Sequence, residues 1–473
     1  VDVLYAATNI PYPSWLNSGD NTWQLVAATL VGLMSLPGLA VLYGGLVRKK
    51  WIVNTMLMCF SGFALTLVVW MLWGYNMAFG PISHFGPTGS FWSGFIGHFS
   101  PLSTAADEAS QAVSGANTLI PFHFPTATLA YFQFVFAAIT PLLFLGGLVG
   151  RLKFKAWLLI VPLWITMIYC VNACLLWGGG FFAQKGAVDF SGGYVIHLSA
   201  GVAAFVGAAI VGPRRWQDRE NAFPSNLMMV AVGIGIIWLG WNGFNGGDPF
   251  YAGTDAAAAV LNTNVATAVG LLTWLFMDMF FSSQKKPTFL GALNGILCGL
   301  VAITPSAGWV NGTGAIMVGL IASAVVWVAW NYLSKVRPFS KVDDAMGVIY
   351  THGIAGLLGG LMVGIFADPK MLEYGVAGKV YDAAGSFSVG GWLYNGHSFH
   401  QLWEQFLAAL WVIGYTAVGT ALIFFVVKAL VGLREDDEVL AIGDIAIHDE
   451  EAFPEPTFGE PVLTPSHTHS DNK

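Results

Sequence analysis

The sequence predicts an all-α integral membrane protein with eleven transmembrane helices, built as an inverted repeat of five plus five with an additional C-terminal helix. Three observations predict it. Of the 473 residues, 55% are apolar and 10% charged, whereas a soluble domain carries about a quarter charged residues. Apolar runs near the ~20 residues needed to cross a bilayer recur along the chain. Basic residues gather in alternate loops, as the positive-inside rule requires of a polytopic protein. The 57 glycines have no three-residue period and sit inside apolar runs, which excludes collagen and low-complexity linkers.

In order, the apolar segments bounded by charges or turn residues cover 22–47, 53–79, 126–150, 156–182, 191–212, 225–246, 257–283, 288–304, 314–334, 346–367 and 401–432. Arg48, Lys49 and Lys50 follow the first, and Arg151, Lys153 and Lys155 the third. Arg214, Arg215 and Arg219 follow the fifth, Lys285 and Lys286 the seventh, and Lys335, Arg337 and Lys341 the ninth. The opposite loops hold Lys185, Lys370 and Lys379, so the N-terminus is expected outside and the C-terminus in the cytoplasm of a cell membrane, plasma or bacterial inner. The chain then divides into an extracellular segment 1–21, a membrane domain 22–432 and a cytoplasmic tail 433–473 that holds 11 of the 27 acidic residues. It opens on Val1 rather than Met, which leaves open a removed signal segment or a trimmed start.

The fifth segment carries His197, Ala200 and Gly201, and the tenth carries His352, Ala355 and Gly356 at the same spacing. An offset of five spans reverses the second copy across the bilayer, so 22–212 and 225–367 read as inverted repeats with a site between them near the midplane. Segment 401–432 is then an added brace.

Net charge is −7, and no basic patch suited to nucleic acid is present. Cys59, Cys170, Cys174 and Cys298 lie inside apolar runs without a CxxC pair, so buried, inert thiols are expected. No nucleophile–base pair, phosphate-cradling loop or metal-ligand cluster stands out, so neither an enzyme nor a cofactor or metal site is expected. Of ten histidines, only His197 and His352 fall deep inside apolar spans. Ionisable groups at membrane depth are costly unless partnered or facing a cavity, and equivalent repeat positions suggest that these two face each other. Two unrelated rings satisfied by backbone carbonyls is the alternative.

Asp189 stands eight residues before His197 and opens the run Asp189-Phe190-Ser191-Gly192-Gly193. It has the form of an N-cap whose carboxylate accepts backbone N–H groups at the start of the fifth span; direct ligation of a cation is the alternative. Phe132, Phe136, Trp177, Trp241 and Phe244 crowd expected outer span ends. They are either interface anchors or a cage whose ring faces replace water around a small cation, at about 0.5–2 kcal/mol per ring.

The run Trp177-Gly178-Gly179-Gly180, followed by Asp189-Phe190-Ser191-Gly192-Gly193 and His197, closely resembles the signature of the ammonium transporter family (Amt/Mep/Rh). The resemblance extends to Phe132-Gln133, Phe136, the segment Gly240 to Gly247, Asn262-Thr263, Thr304-Pro305, Asp343-Asp344 and His352-Gly353, and lies closest to the Mep and plant second-class branch. It implies a homotrimer with one narrow apolar pore per subunit and ammonium or ammonia as substrate. Phe132, Phe136, Trp177, Trp241 and Asp248 would recruit the cation. Phe136 and Phe244 would form a stacked gate, and His197 and His352 a twin-histidine pair in the pore. Asp189, Gly192, Gly193 and Thr304 would lend structural support. Many relatives carry serine at the Asp248 position and aspartate at the Gly347 position. Asp248 either lines the vestibule, where its charge favours a cation, or is turned away by Pro249 to cap a loop. The tail segments Glu435-Asp436-Asp437-Glu438, Ile442-Gly443-Asp444 and His448-Asp449-Glu450-Glu451 resemble the family's C-terminal region, which makes Asp344, Gly443 and Asp444 regulatory candidates and a PII-type signal protein a possible partner.

Moving an isolated small cation into an apolar medium costs tens of kcal/mol, which cation–π contacts cannot offset. The expected mechanism is therefore capture as ammonium, deprotonation at the gate, passage of ammonia past the histidines and separate transfer of the proton, with net charge movement. Potassium has no proton to give up and is excluded. Two other readings stay open: an ammonium sensor signalling through its tail, and an electroneutral ammonia or carbon dioxide channel of the Rh type.

Overall fold

The computed structural model describes residues 13–81, 94–114, 120–371, 379–380 and 387–454. The first twelve residues of the expected extracellular segment and residues 455–473 of the tail lie outside the described residues. Among the described residues, ten helices are long and apolar enough to cross a membrane. They are α1 (Ser18–Leu46), α2 (Lys49–Phe79), α3 (Thr126–Leu145), α4 (Phe154–Gln184), α5 (Gly193–Val211), α6 (Leu227–Gly246) and α7 (Thr254–Phe281), followed by α9 (Gly312–Lys335), α10 (Ile349–Phe366) and α11 (His400–Val431). The eighth predicted span forms α8 (Phe289–Ile303), an apolar helix of 15 residues. At 1.5 Å per residue it is about 22 Å long, short of the ~30 Å hydrocarbon core, because the chain turns over 304–309, where Pro305 supplies no amide N–H to extend the ladder.

Short polar side chains begin several helices by accepting otherwise orphaned backbone N–H groups. Asn17 caps α1, Asn226 caps α6, Thr288 caps α8 and Asn311 caps α9. Helix α3 is almost wholly buried and forms the centre of the bundle, whereas α7 turns Leu261, Leu272, Phe276 and Phe280 outward. Such an apolar exterior needs lipid around it. Helix α3 stops at Leu145 rather than the expected 150, because Gly146-Gly147 starts a turn that ends with Gly150 at φ +78°. Outside the helices, Gln111–Ser114 and Ile120–Pro125 form an antiparallel pair that leads into α3, and Lys379–Val380 pairs with Phe387–Ser388.

The matched local features of the two halves are specific. Helices α5 and α10 each open with a π-helical turn, Gly193–Leu198 and Ile349–Ile354, and each turn holds the histidine. Each turn follows a left-handed glycine five residues before its histidine, Gly192 at φ +114° and Gly347 at φ +75°. The two helices cross with backbone against backbone, Gly201 on Gly353, an approach that only small residues allow.

The described part of the tail, up to residue 454, is packed against the membrane domain. Helices α12 (Asp437–Ile442) and α13 (Asp444–His448) lie against the start of α2. Lys50 Nζ donates to the carbonyls of Leu440 and Ala441 at 2.7 and 3.1 Å. The Asp444 carboxylate accepts the backbone N–H groups of Val53 and Asn54 at 2.8 and 2.9 Å, and His448 Nε2 lies 2.9 Å from Asn54 Oδ1. Burial pushes the Asp444 carboxyl up to about 6 against the pull of those N–H groups.

Candidate functional site

A continuous column of rings runs through the bundle toward the tail side. Phe132 and Phe136, one turn apart on α3, have centroids 4.7 Å apart. Phe136 meets Trp177 edge-on at 6.2 Å and lies 4.4 Å from Phe244 of α6. Below Phe244 comes His197, at 5.9 Å and nearly parallel, and His197 lies 5.3 Å from the Trp241 ring at an interplanar angle of 21°. His197 Nδ1 and His352 Nδ1 are 3.3 Å apart, so one ring donates and the other accepts. His197 Nε2 is buried without a partner among the described residues. Apart from the half-buried Trp177, these rings are nearly inaccessible, His352 at 4% being the most exposed.

Trp241 departs from the expected outer position. On α6 it sits one turn below Phe244, so the structure stacks it against His197, with its Nε1 donating to Thr304 Oγ1 at 2.9 Å. Its place in the apolar sequence marked it as an end residue, but helix periodicity puts 241 a turn deeper than 244 on the same face. Thr304 in turn donates to Leu300 O and accepts Ser191 N–H on its carbonyl. It thereby ties the end of α8 to the turn before α5.

That turn is organised by Asp189. Its Oδ1 accepts Gly192 N–H at 3.2 Å, and its Oδ2 accepts Tyr194 and Val195 N–H, both at 2.9 Å. Burial lifts its carboxyl to about 6, opposed by these backbone donors. Trp177 Nε1 donates to the Asp189 carbonyl at 2.6 Å, which ties the indole to the same turn. Gly193 presses on Pro305, where a Cβ would fall 2.6 Å from the proline ring. Asp189→Asn keeps one acceptor oxygen but turns an N–H toward at least one of the three donors. It is expected to cost about 1–3 kcal/mol, read as a lower unfolding midpoint in detergent with partial retention of uptake; an unchanged midpoint would rule out the capping role.

The sequence reading missed the second copy of this device. Asp344 also stands eight residues before its histidine, accepting Gly347 N–H at 3.0 Å and Ile349 N–H at 2.7 Å. The position expected to be regulatory is thus the cap of α10. The signal was present as Asp-x-x-Gly followed five residues later by His, in both halves. The neighbouring Asp343 pairs with Arg214 at 2.7 Å, which, against the upward push of burial, holds its carboxyl down to about 2. Gly443, at φ +89°, allows the tail to close on Lys50, and Asp444 caps α2 as described.

Asp248 follows α6 in a turn where Phe250 N–H bonds the Gly247 carbonyl. Its Oδ2 is buried with no hydrogen-bond partner among the described residues, and Gly247 packs against the Phe132 ring. On the tail side of the histidines, Tyr43, Ile139, Leu143, Val348, Thr351 and His352 line part of a cavity of about 30 Å³, room for roughly one or two waters. No group of His, Cys, Asp or Glu suited to a metal is found among the described residues.

A family model described as Ammonium Transporter Family matches residues 22–453. Ammonium transporter 3 member 2 of Oryza sativa subsp. japonica is 44% identical over 94% of this chain and 92% of the relative. Ammonium transporter 2 of Arabidopsis thaliana is 42% identical over 93% and 89%. The crystal structure of Saccharomyces cerevisiae Mep2 superposes with a TM-score of 0.74 at 27% identity, over 90% of this chain and 89% of that one.

Proposed function

The chain belongs to the ammonium transporter family, and we propose that it takes ammonium at an outer aromatic site, strips its proton, conducts ammonia along a twin-histidine pore and moves the proton separately, so that net charge crosses. It is a transporter and not an enzyme. The observation that carries the reading is the 3.3 Å contact between His197 and His352 beneath the Phe136 and Phe244 rings. A lining of ring faces offers a bare ion too little to replace its hydration, whereas a neutral imidazole pair offers both a donor and an acceptor. Phe132, Phe136, Trp177 and Asp248 surround the entrance, Phe136 and Phe244 close it, and Asp189, Gly192, Gly193 and Thr304 hold the helix that presents His197.

The setting belongs to the same proposal. The protein is a homotrimer in the plasma or bacterial inner membrane, with residues 1–21 outside, repeats over 22–212 and 225–367, a brace over 401–432 and residues 433–473 in the cytoplasm. The alternation of basic loops supports this orientation. The docking of α12 and α13 on α2 favours a second role, in which the tail senses or tunes transport, through Gly443 and Asp444 and a PII-type protein bound on that face.

Ammonium-evoked current in proteoliposomes of the purified protein tests the mechanism. Current that accompanies uptake is the expected result; a silent membrane with intact uptake would overturn charge movement and leave the electroneutral channel.

A further inference from the structure

We propose that the Asp248 carboxylate is the group that first accepts the proton given up by ammonium; this rests on the deprotonation step proposed above. Two carboxylates stand near the entrance, and their hydrogen bonding separates them. Asp189 is committed, since both its oxygens accept backbone N–H groups. Protonating it would set an O–H against those donors. Asp248 keeps one oxygen uncommitted. Its Oδ2 is buried without a partner, and so is the Ser191 hydroxyl, which stands beside it.

A buried carboxylate oxygen without a donor is costly until a cation or a proton reaches it. Ammonium can supply both in turn. Gly247, the residue before Asp248, packs against the Phe132 ring, so the carboxylate belongs to the turn that borders the ring column, and a cation held on ring faces arrives near an oxygen that lacks a partner. Among the described residues, the titratable groups within electrostatic reach are Asp189, from the turn before α5, and Tyr169, from α4; no basic side chain is among them. Burial raises the Asp248 carboxyl well above the usual range, and the Asp189 charge adds to the rise while Ser191 opposes it. A carboxylate raised in this way is a better base toward ammonium than an exposed one.

The step is a proton transfer. One N–H bond of ammonium breaks with its electron pair left on nitrogen, an O–H bond forms on Asp248, and neutral ammonia moves on past Phe136 and Phe244. The carboxyl then gives its proton to the Ser191 hydroxyl oxygen as that hydroxyl gives its own proton to a water molecule in the entrance, so Asp248 returns to the anion and Ser191 stays neutral.

The acceptor must be ionised to work, so uptake per ammonium ion should fall as outer pH drops through the raised value and recover as it climbs. Asp248→Asn and Asp248→Glu in proteoliposomes test this by isotope-labelled ammonium uptake against outer pH. The Asn variant is expected to lose uptake by about a hundredfold, with a residual flux that no longer depends on pH between about 5 and 8. The Glu variant is expected to keep most of the rate with a shifted midpoint. Wild-type uptake by the Asn variant, or equal losses in both variants, would overturn the assignment. If the Asn variant does not insert, the Glu variant decides alone: a shifted midpoint supports the assignment and an unshifted one refutes it. Because the readout is uptake rather than current, a wild-type membrane without current would defeat charge movement while leaving Asp248 judged on its own result.

Discussion

Proteoliposomes carrying His197→Ala are expected to lose ammonium-evoked current by more than about a hundredfold. The ring lies between Phe244, Trp241 and His352, and its contact with His352 is the point where polar atoms of the two repeats meet inside the ring column. Alanine leaves His352 facing an apolar gap. Ammonia, being neutral, can cross such a gap, but a proton needs a chain of donors and acceptors and loses it there. Current should therefore vanish while dissipation of an ammonia gradient, followed by an internal pH indicator, persists in part. His197→Ala with wild-type current would show that the proton does not pass the imidazoles. In cells, lost uptake with retained ammonium signalling would instead favour the sensor role.

Much of this arrangement was legible in the sequence because bilayer physics leaves few options. A backbone that must satisfy its own hydrogen bonds in lipid forms apolar helices of set length, so the predicted segments and the helices agree to within a few residues at most ends. The two deep histidines stood out for the same reason. Trp241 was misplaced because apolar content carries no sign of depth, whereas the one-turn offset from Phe244 does. Asp344 was grouped with Gly443 and Asp444 as a regulatory candidate rather than read through its spacing to His352, so the second cap was missed. The docking of α12 and α13 was not legible at all. An acidic run reads as solvated, and only the fold brings the first amides of α2 to Asp444 and the Lys50 ammonium to the carbonyls of Leu440 and Ala441.

The crossing of α5 and α10 yields a prediction whose asymmetry is its test. A Cβ on Gly201 would fall well inside contact distance of the Gly353 backbone, whereas a Cβ on Gly353 would meet Gly201 Cα at 3.3 Å and its carbonyl carbon at 3.6 Å. Backbone cannot rotate aside as a side chain can, so Gly201→Ala must push the helices apart, at a cost of about 3 kcal/mol or more. Gly353→Ala needs a shift of only a few tenths of an ångström and should cost less than about 1 kcal/mol. Gly353 directly follows His352, and Gly201 lies one turn after His197, so the forced separation acts on the contact between the rings. A hydrogen bond of 3.3 Å does not survive another ångström. Gly201→Ala is therefore expected to lower the unfolding midpoint in detergent and to abolish current, while Gly353→Ala stays near wild type in both. Equal behaviour of the two variants would mean that the helices do not cross at this point, and the pairing of the histidines would lose its structural basis.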